Sequence, residues 1–151
     1  MNMIKKIIKL IIVIFFMGLI FFFSSDSGDA SSEKSDGIII QTVQFILGRD
    51  LTQKEKDIYV EKYVVWVRKG AHFTIYFLLG LSFVSFLKEF QIISYRSVIY
   101  SLLFVFLYAC SDEVHQLFQE GRSFQVVDII IDSMGGFLSS NLYYFIRRKM
   151  L

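Results

Sequence analysis

Four apolar runs punctuate the chain. The first extends from Ile7 to Phe23, broken only by Lys9 and Gly18, and the second from Ala71 to Leu87, with His72 its only titratable group. The third covers Val98 to Cys110, and the fourth, Val126 to Ile146, carries Asp128 and Asp132. A spanning helix needs roughly 20 residues, and each run is at or short of that once its charges are set aside. Counting a full span back from the inner end of each later run places helices at about 68–87, 96–115 and 127–146, beside a first span at 7–23. Full length then forces Arg68, Lys69 and His72 into the second helix, Asp112, Glu113 and His115 into the third, and Asp128 and Asp132 into the fourth. All three sets fall at the same end of their helices.

Between the first two spans, residues 24–67 read as a long outer loop. It opens with the small polar stretch SSDSGDASSEKSDG, a loop by composition. IIIQTVQFILG follows, with Ile39, Val43, Ile46 and Leu47 on one helical face and Gly48 as the stop. Thr52 and Glu55 have capping-box spacing and open a helix running toward Trp66. Tyr59, Tyr63 and Trp66 suit a membrane–water boundary. The segment is expected to hold two short amphipathic helices against the outer face, the alternative being a plain connector with helical bias.

Composition narrows the class. The chain is 54% hydrophobic and 17% aromatic, above what a soluble core of this length requires, and its mean hydropathy is +0.53. A formal charge of +2 from 16 basic and 14 acidic residues is too even for a nucleic-acid binder. The lone Cys110 excludes an intramolecular disulfide scaffold. The fold class expected is all-α, a single polytopic bundle of four transmembrane helices with short amphipathic outer helices. Lys5, Lys6, Lys9, Lys88, Arg96, Arg147, Arg148 and Lys149 crowd one set of span ends, against the single acid Glu89. The outer side has as many basic residues but more acids, so both termini are read as cytoplasmic. The first run also has the basic start of a signal peptide, yet no A-x-A-like cleavage site is evident after it.

Helical spacing aligns the intramembrane polar groups. Arg68, His72 and Tyr76 are four apart. Asp112, His115 and Gln116 share a face, as do Asp128, Asp132, Gly135 and Ser139. An ionised Asp facing lipid costs about 2.5–3.5 kcal/mol at mid-bilayer, so these faces are expected to turn inward around a polar pocket open to the outside. The candidate ligand-binding residues are Arg68, Lys69, His72, Asp112, Glu113, His115, Gln116, Arg122, Asp128 and Asp132. Arg68, Lys69 and Arg122 offer forks and a point charge for an anionic headgroup, with Gly121 suiting a turn that exposes Arg122. The alternative is that these cations only neutralise the four carboxylates. For acid–base chemistry the candidates are His72, His115, Asp112 and Glu113, with Ser111 and Ser123 as loose nucleophiles. D-E-x-H is not H-E-x-x-H, only two His exist and three basic groups oppose a cation, so neither a metal nor a cofactor is expected. Gly135-xxx-Ser139 and Gly136-xxx-Ser140 are read as close-packing pairs.

Two stretches carry a family resemblance. RKGAHFTIYFLLG (68–80) and SDEVHQLFQEGRSFQVVDIIIDSMGG (111–136) resemble the paired signatures of the VanZ-like membrane proteins, and FSS (23–25) resembles a third. The match reaches from the first span to the fourth. Glu120 stands where relatives often have Pro, Asp132 where many have Asn, and Asp26 where many have Gln. The resemblance implies a bacterial cell-membrane protein associated with low-level resistance to teicoplanin, a lipid-tailed glycopeptide, and it brings no established reaction. The expected partners are membrane lipids and, at the outer face, a lipid-linked cell-wall precursor or a lipoglycopeptide. The alternative is a membrane-embedded hydrolase or transferase acting on such a precursor.

Overall fold

The computed structural model describes residues 3–92 and 95–149. Within them the chain forms five helices and no strand: α1 (Met3–Ser24), α2 (Gly28–Leu47), α3 (Gln53–Lys88), α4 (Arg96–Gln116) and α5 (Val126–Lys149). Three of them, α1, α3 and α4, are long and apolar enough to cross a membrane. α5 does not qualify by composition. Its polar residues nevertheless turn inward, with Asp132, Ser139 and Ser140 fully buried, while Ile130, Met134, Leu138, Leu142 and Phe145 face out.

α5 packs along α3 and α4, and α1 leans mainly on α3. The core lies where these four meet, at Val13 and Ile20, Tyr76 and Leu79, Val105 and Ala109, and Ile129. Small residues let the axes approach. A side chain at Gly80 would strike Gly136 and Ser139, and one at Gly135 would strike the Phe73 backbone. Ser140 donates to Ser101 (2.7 Å), which donates to the Gly80 carbonyl (3.2 Å), so these two fully buried hydroxyls are satisfied within the bundle. At the opposite end from the paired polar residues Lys9 ties α1 to the end of α3 through Glu89 (2.5 Å) and the Ser85 carbonyl (3.0 Å).

The outer segment departs from expectation. The stretch read as a loop by composition is helical from Gly28 onward. Ser27 caps it by accepting from the Ala30 N–H, and the Ser32 and Ser35 hydroxyls bond back to carbonyls four residues earlier. Small polar residues therefore decorate a helix rather than interrupt one, because α2 has α3 to pack against. The capping box of Thr52 and Glu55 is present. The helix it opens does not stop near Trp66. It runs on through Gly70 as one rod of 36 residues, about 54 Å at 1.5 Å per residue. The two short helices are thus one 20-residue helix and the outer half of α3. Of the face read on α2, Ile39 is buried, but Ile46 and Leu47 are exposed, since they lie at the end farthest from the bundle.

Candidate functional site

Four helix ends and the two turns that join them meet at one end of the bundle. The chain leaves α1 at Ser24 and enters α2 at Gly28, where the Gly28 N–H donates to the Glu120 carbonyl (2.8 Å) in the α4–α5 turn. Gly28 has no room for a side chain because the Gly121 backbone presses against it. Gly121 has φ +71°, a left-handed conformation suited to glycine. This clasp fixes Arg122, whose Nε donates to the Asp26 carbonyl (3.3 Å) and Nη1 to Gln116 Oε1 (3.3 Å). Gln116 in turn donates to Asp112 (3.2 Å). Position 120 contributes its carbonyl here, which a proline would also supply.

Below the clasp lies a cavity of about 740 Å3 bounded by α1, α2, α3, the end of α4 and Arg122, within the size range of small-molecule sites. Its outer end holds Ser24, Asp26, Lys34, Arg68, His72, Asp112, Gln116 and Arg122. Its inner reach is apolar, with Leu19 and Ile20 on α1 and Ile75 and Leu78 on α3. From Arg68 to Leu78 is about 15 Å of helix rise. The space therefore has a charged head and a greasy tail, oriented along the helices.

Charges in this space are unevenly paired. Lys34 pairs with Asp26 (2.6 Å). Arg68 has no hydrogen bond or ion pair among the described residues, and Arg122 bonds a carbonyl and an amide rather than a carboxylate. Burial first, and then the nearby Arg68 guanidinium, hold Arg122 below the ordinary arginine value. It stays charged all the same. Among the described residues neither guanidinium at this space has a carboxylate within ion-pair distance, an arrangement that an anion would relieve.

Of the ten residues expected to bind, Arg68, His72, Asp112, Gln116 and Arg122 line this cavity together. The other five stand behind or beside it. Lys69 pairs with Asp128 (2.5 Å), as simple neutralisation predicts. Asp132 is fully buried, with Oδ1 3.4 Å from His72 Nδ1. Glu113, also fully buried, accepts the Gln125 N–H (2.7 Å) at the start of α5. His115 stacks on Phe21 (4.5 Å between centroids), and its Nε2 meets Ser25 Oγ at 3.1 Å. The Ser25 hydroxyl hydrogen is directed to the Phe21 carbonyl (2.7 Å), so the pair is not an activated nucleophile. Neither Ser111, which donates to the Tyr108 carbonyl, nor Ser123 lines the cavity.

Sequence reading missed Ser24, Asp26, Lys34, Ser31 and Ser35 as lining residues. The α2 members were legible in principle: Ser31, Lys34, Ser35 and Ile38 have one-face helical spacing. Tyr76 was visible at the third place of the Arg68 face, and it is fully buried at the cavity wall.

No curated protein and no solved structure matches the chain. The sequence profile of the VanZ/LLP1 family matches residues 9–147, from within α1 to near the end of α5. With spanning helices and the paired signatures gathered at one end, the chain is a membrane protein and belongs to the VanZ/LLP1 family.

Proposed function

We propose that the protein crosses a bacterial cell membrane four times, with both termini cytoplasmic, and uses its outward cavity to bind an amphiphile with an anionic head. The ligand class is a lipid-linked cell-wall precursor or a lipoglycopeptide of the teicoplanin type, and holding it at the outer face is the route by which this member contributes to glycopeptide resistance. The fourth crossing is supported by the apolar outward face of α5 and its buried Asp132, Ser139 and Ser140. The orientation is supported by the basic residues at the opposite helix ends. The observation that carries the binding reading is Arg68, a guanidinium with no hydrogen-bond or ion-pair partner among the described residues, at the mouth of an apolar trough.

Native mass spectrometry of detergent-purified protein with anionic and zwitterionic lipids and with teicoplanin tests this. An anionic amphiphile should stay bound, and Arg68→Ala should weaken it by roughly tenfold or more, the scale of one lost charge-assisted contact. Equal retention of anionic and zwitterionic species, unaffected by Arg68→Ala, would end the proposal. The Asp132–His72 contact favours one second reading, in which His72, oriented by Asp132, serves acid–base chemistry on a lipid-linked phosphate. Product formation from such a lipid, lost in His72→Gln while binding persists, would mark that case.

A further inference from the structure

We propose that the head of the cavity is a phosphate subsite in which Ser24 and His72 act with Arg68, and that His72 takes up a proton as the anion binds. This rests on the anion-binding reading above and deepens it by naming the headgroup chemistry.

Ser24 is the first observation. It is 5% exposed, lines the cavity, and its hydroxyl has no hydrogen-bond partner among the described residues. A buried hydroxyl left unsatisfied is unfavourable, and such groups mark places where a ligand or water completes the bonding. Ser24 lines the space from α1, whereas Arg68 and His72 line it from α3 and Arg122 from the α4–α5 turn. Donors converging from three directions suit a tetrahedral oxyanion with oxygens on every side. A flat carboxylate presents two oxygens in one plane and leaves donors unused.

His72 is the second. Its side chain is 23% exposed, and Nδ1 is turned to Asp132 at 3.4 Å, which leaves Nε2 as the nitrogen available to the cavity. The charges that bear on it can be named element by element. On α3 itself they are Arg68 one turn outward and the Tyr76 phenol one turn inward. On α4 they are Asp112 and Glu113, and on α5 Asp128 and Asp132. Asp128 is matched by Lys69. Arg122, and Lys34 with its partner Asp26, share the cavity. Before binding, two guanidinia stand against three carboxylates without a lysine or arginine ion pair, Asp112, Glu113 and Asp132. A bound phosphate engages those guanidinia, and the imidazole is then flanked by the ligand and Asp132. Protonating His72 restores the balance with an ion pair on each side. By linkage, a proton taken up on binding means that affinity rises as pH falls.

The experiment is titration calorimetry of the full chain in detergent with short-chain phosphatidylglycerol, a phosphate diester whose own charge is constant between about pH 5 and 8, the range where histidine switches. Running it in two buffers of different ionisation enthalpy counts protons on the wild-type protein directly. Net proton uptake is expected, with affinity falling as pH rises by up to about tenfold per unit. His72→Gln should bind without that slope, and Ser24→Ala should bind more weakly at every pH. Binding that is independent of pH and exchanges no proton would overturn the inference, as would a slope that survives in His72→Gln. Decanoate binding as tightly as phosphatidylglycerol would overturn the phosphate assignment. Failure of phosphatidylglycerol to bind at any pH would instead remove the anion-binding reading itself.

Discussion

Glu113 and His115 stand two positions apart on α4 and serve different neighbours. The Glu113 carboxylate faces the start of α5 and accepts the Gln125 N–H, where a helix N-terminus favours negative charge. Glu113→Ala should lower stability by about 1 kcal/mol, because the part-buried Gln125 N–H loses its carboxylate acceptor. Thermal unfolding in detergent measures this, and an unshifted transition would mean that the contact carries no stability. His115 lies against Phe21 and Ser25, outside the cavity lining. His115→Gln is therefore expected to leave ligand affinity within about twofold, well under the scale of one lost charged contact. The two residues illustrate how far a motif can be read. D-E-x-H puts titratable side chains at one end of one helix, but successive positions are rotated by about 100°, so they face different partners. Periodicity grouped Asp112 with His115 and Gln116. The structure gives Asp112 and Gln116 to the cavity and His115 to α1.

At the scale of elements, the glycines separate packing from mere presence in a helix. Gly70 has open space beside it, and Gly80 has the α5 backbone there. Gly70→Ala should be neutral or stabilising by up to about 1 kcal/mol through helix propensity. Gly80→Ala should be clearly destabilising, since its methyl meets Gly136 and Ser139. Equal melting shifts for the two variants would contradict this packing. The turn between α2 and α3 supplies a pH-dependent device. Arg49 first, then the Thr52 backbone and hydroxyl, hold the Glu55 carboxyl at about 2, below its ordinary 4.5. A depressed acid contributes stability that is complete above the ordinary value and is lost as pH falls toward the folded one. Hydrogen exchange at residues 52–56 should thus be steady near neutrality and quicken, beyond its intrinsic pH dependence, only as pH drops from 4.5 toward 2. The start of α3 was legible from Thr52 and Glu55 because a cap is local chemistry. The second half of α2 and its stop at Gly48 were legible too, but the helicity of its serine-rich first half was not, because such sequence has weak propensity and the packing against α3 is remote in sequence.

For the molecule as a whole, hydrocarbon thickness accounts for most of what could be foreseen. Reading the later apolar runs as spans near 20 residues put their polar residues at one depth, and Asp132, His72, Asp112 and Glu113 do lie together in the bundle. What thickness does not specify is rotation about each helix axis or the path of the outer segment. That is why the five residues behind the cavity could not be told from the five that line it, and why the face of α2 could not be assigned to the cavity although its spacing was legible. The proposed topology makes a prediction at this scale. Single cysteines in a Cys110→Ser background should react with a membrane-impermeant maleimide from outside at Asp50, and at Glu89 only after permeabilisation. The reverse pattern would invert the molecule and bring the cavity to the cytoplasmic face.

The central claim is that the polar end and the apolar trough form one amphiphile site, and photocrosslinking tests it most directly. An anionic phospholipid analogue with a diazirine in its acyl chain, reconstituted with the protein, should label Leu19, Ile75 and Leu78 along the trough. Excess unlabelled anionic lipid should compete that labelling away. Labelling spread evenly over outward residues such as Phe15, Ile99 and Leu142, and indifferent to competitor, would contradict the account.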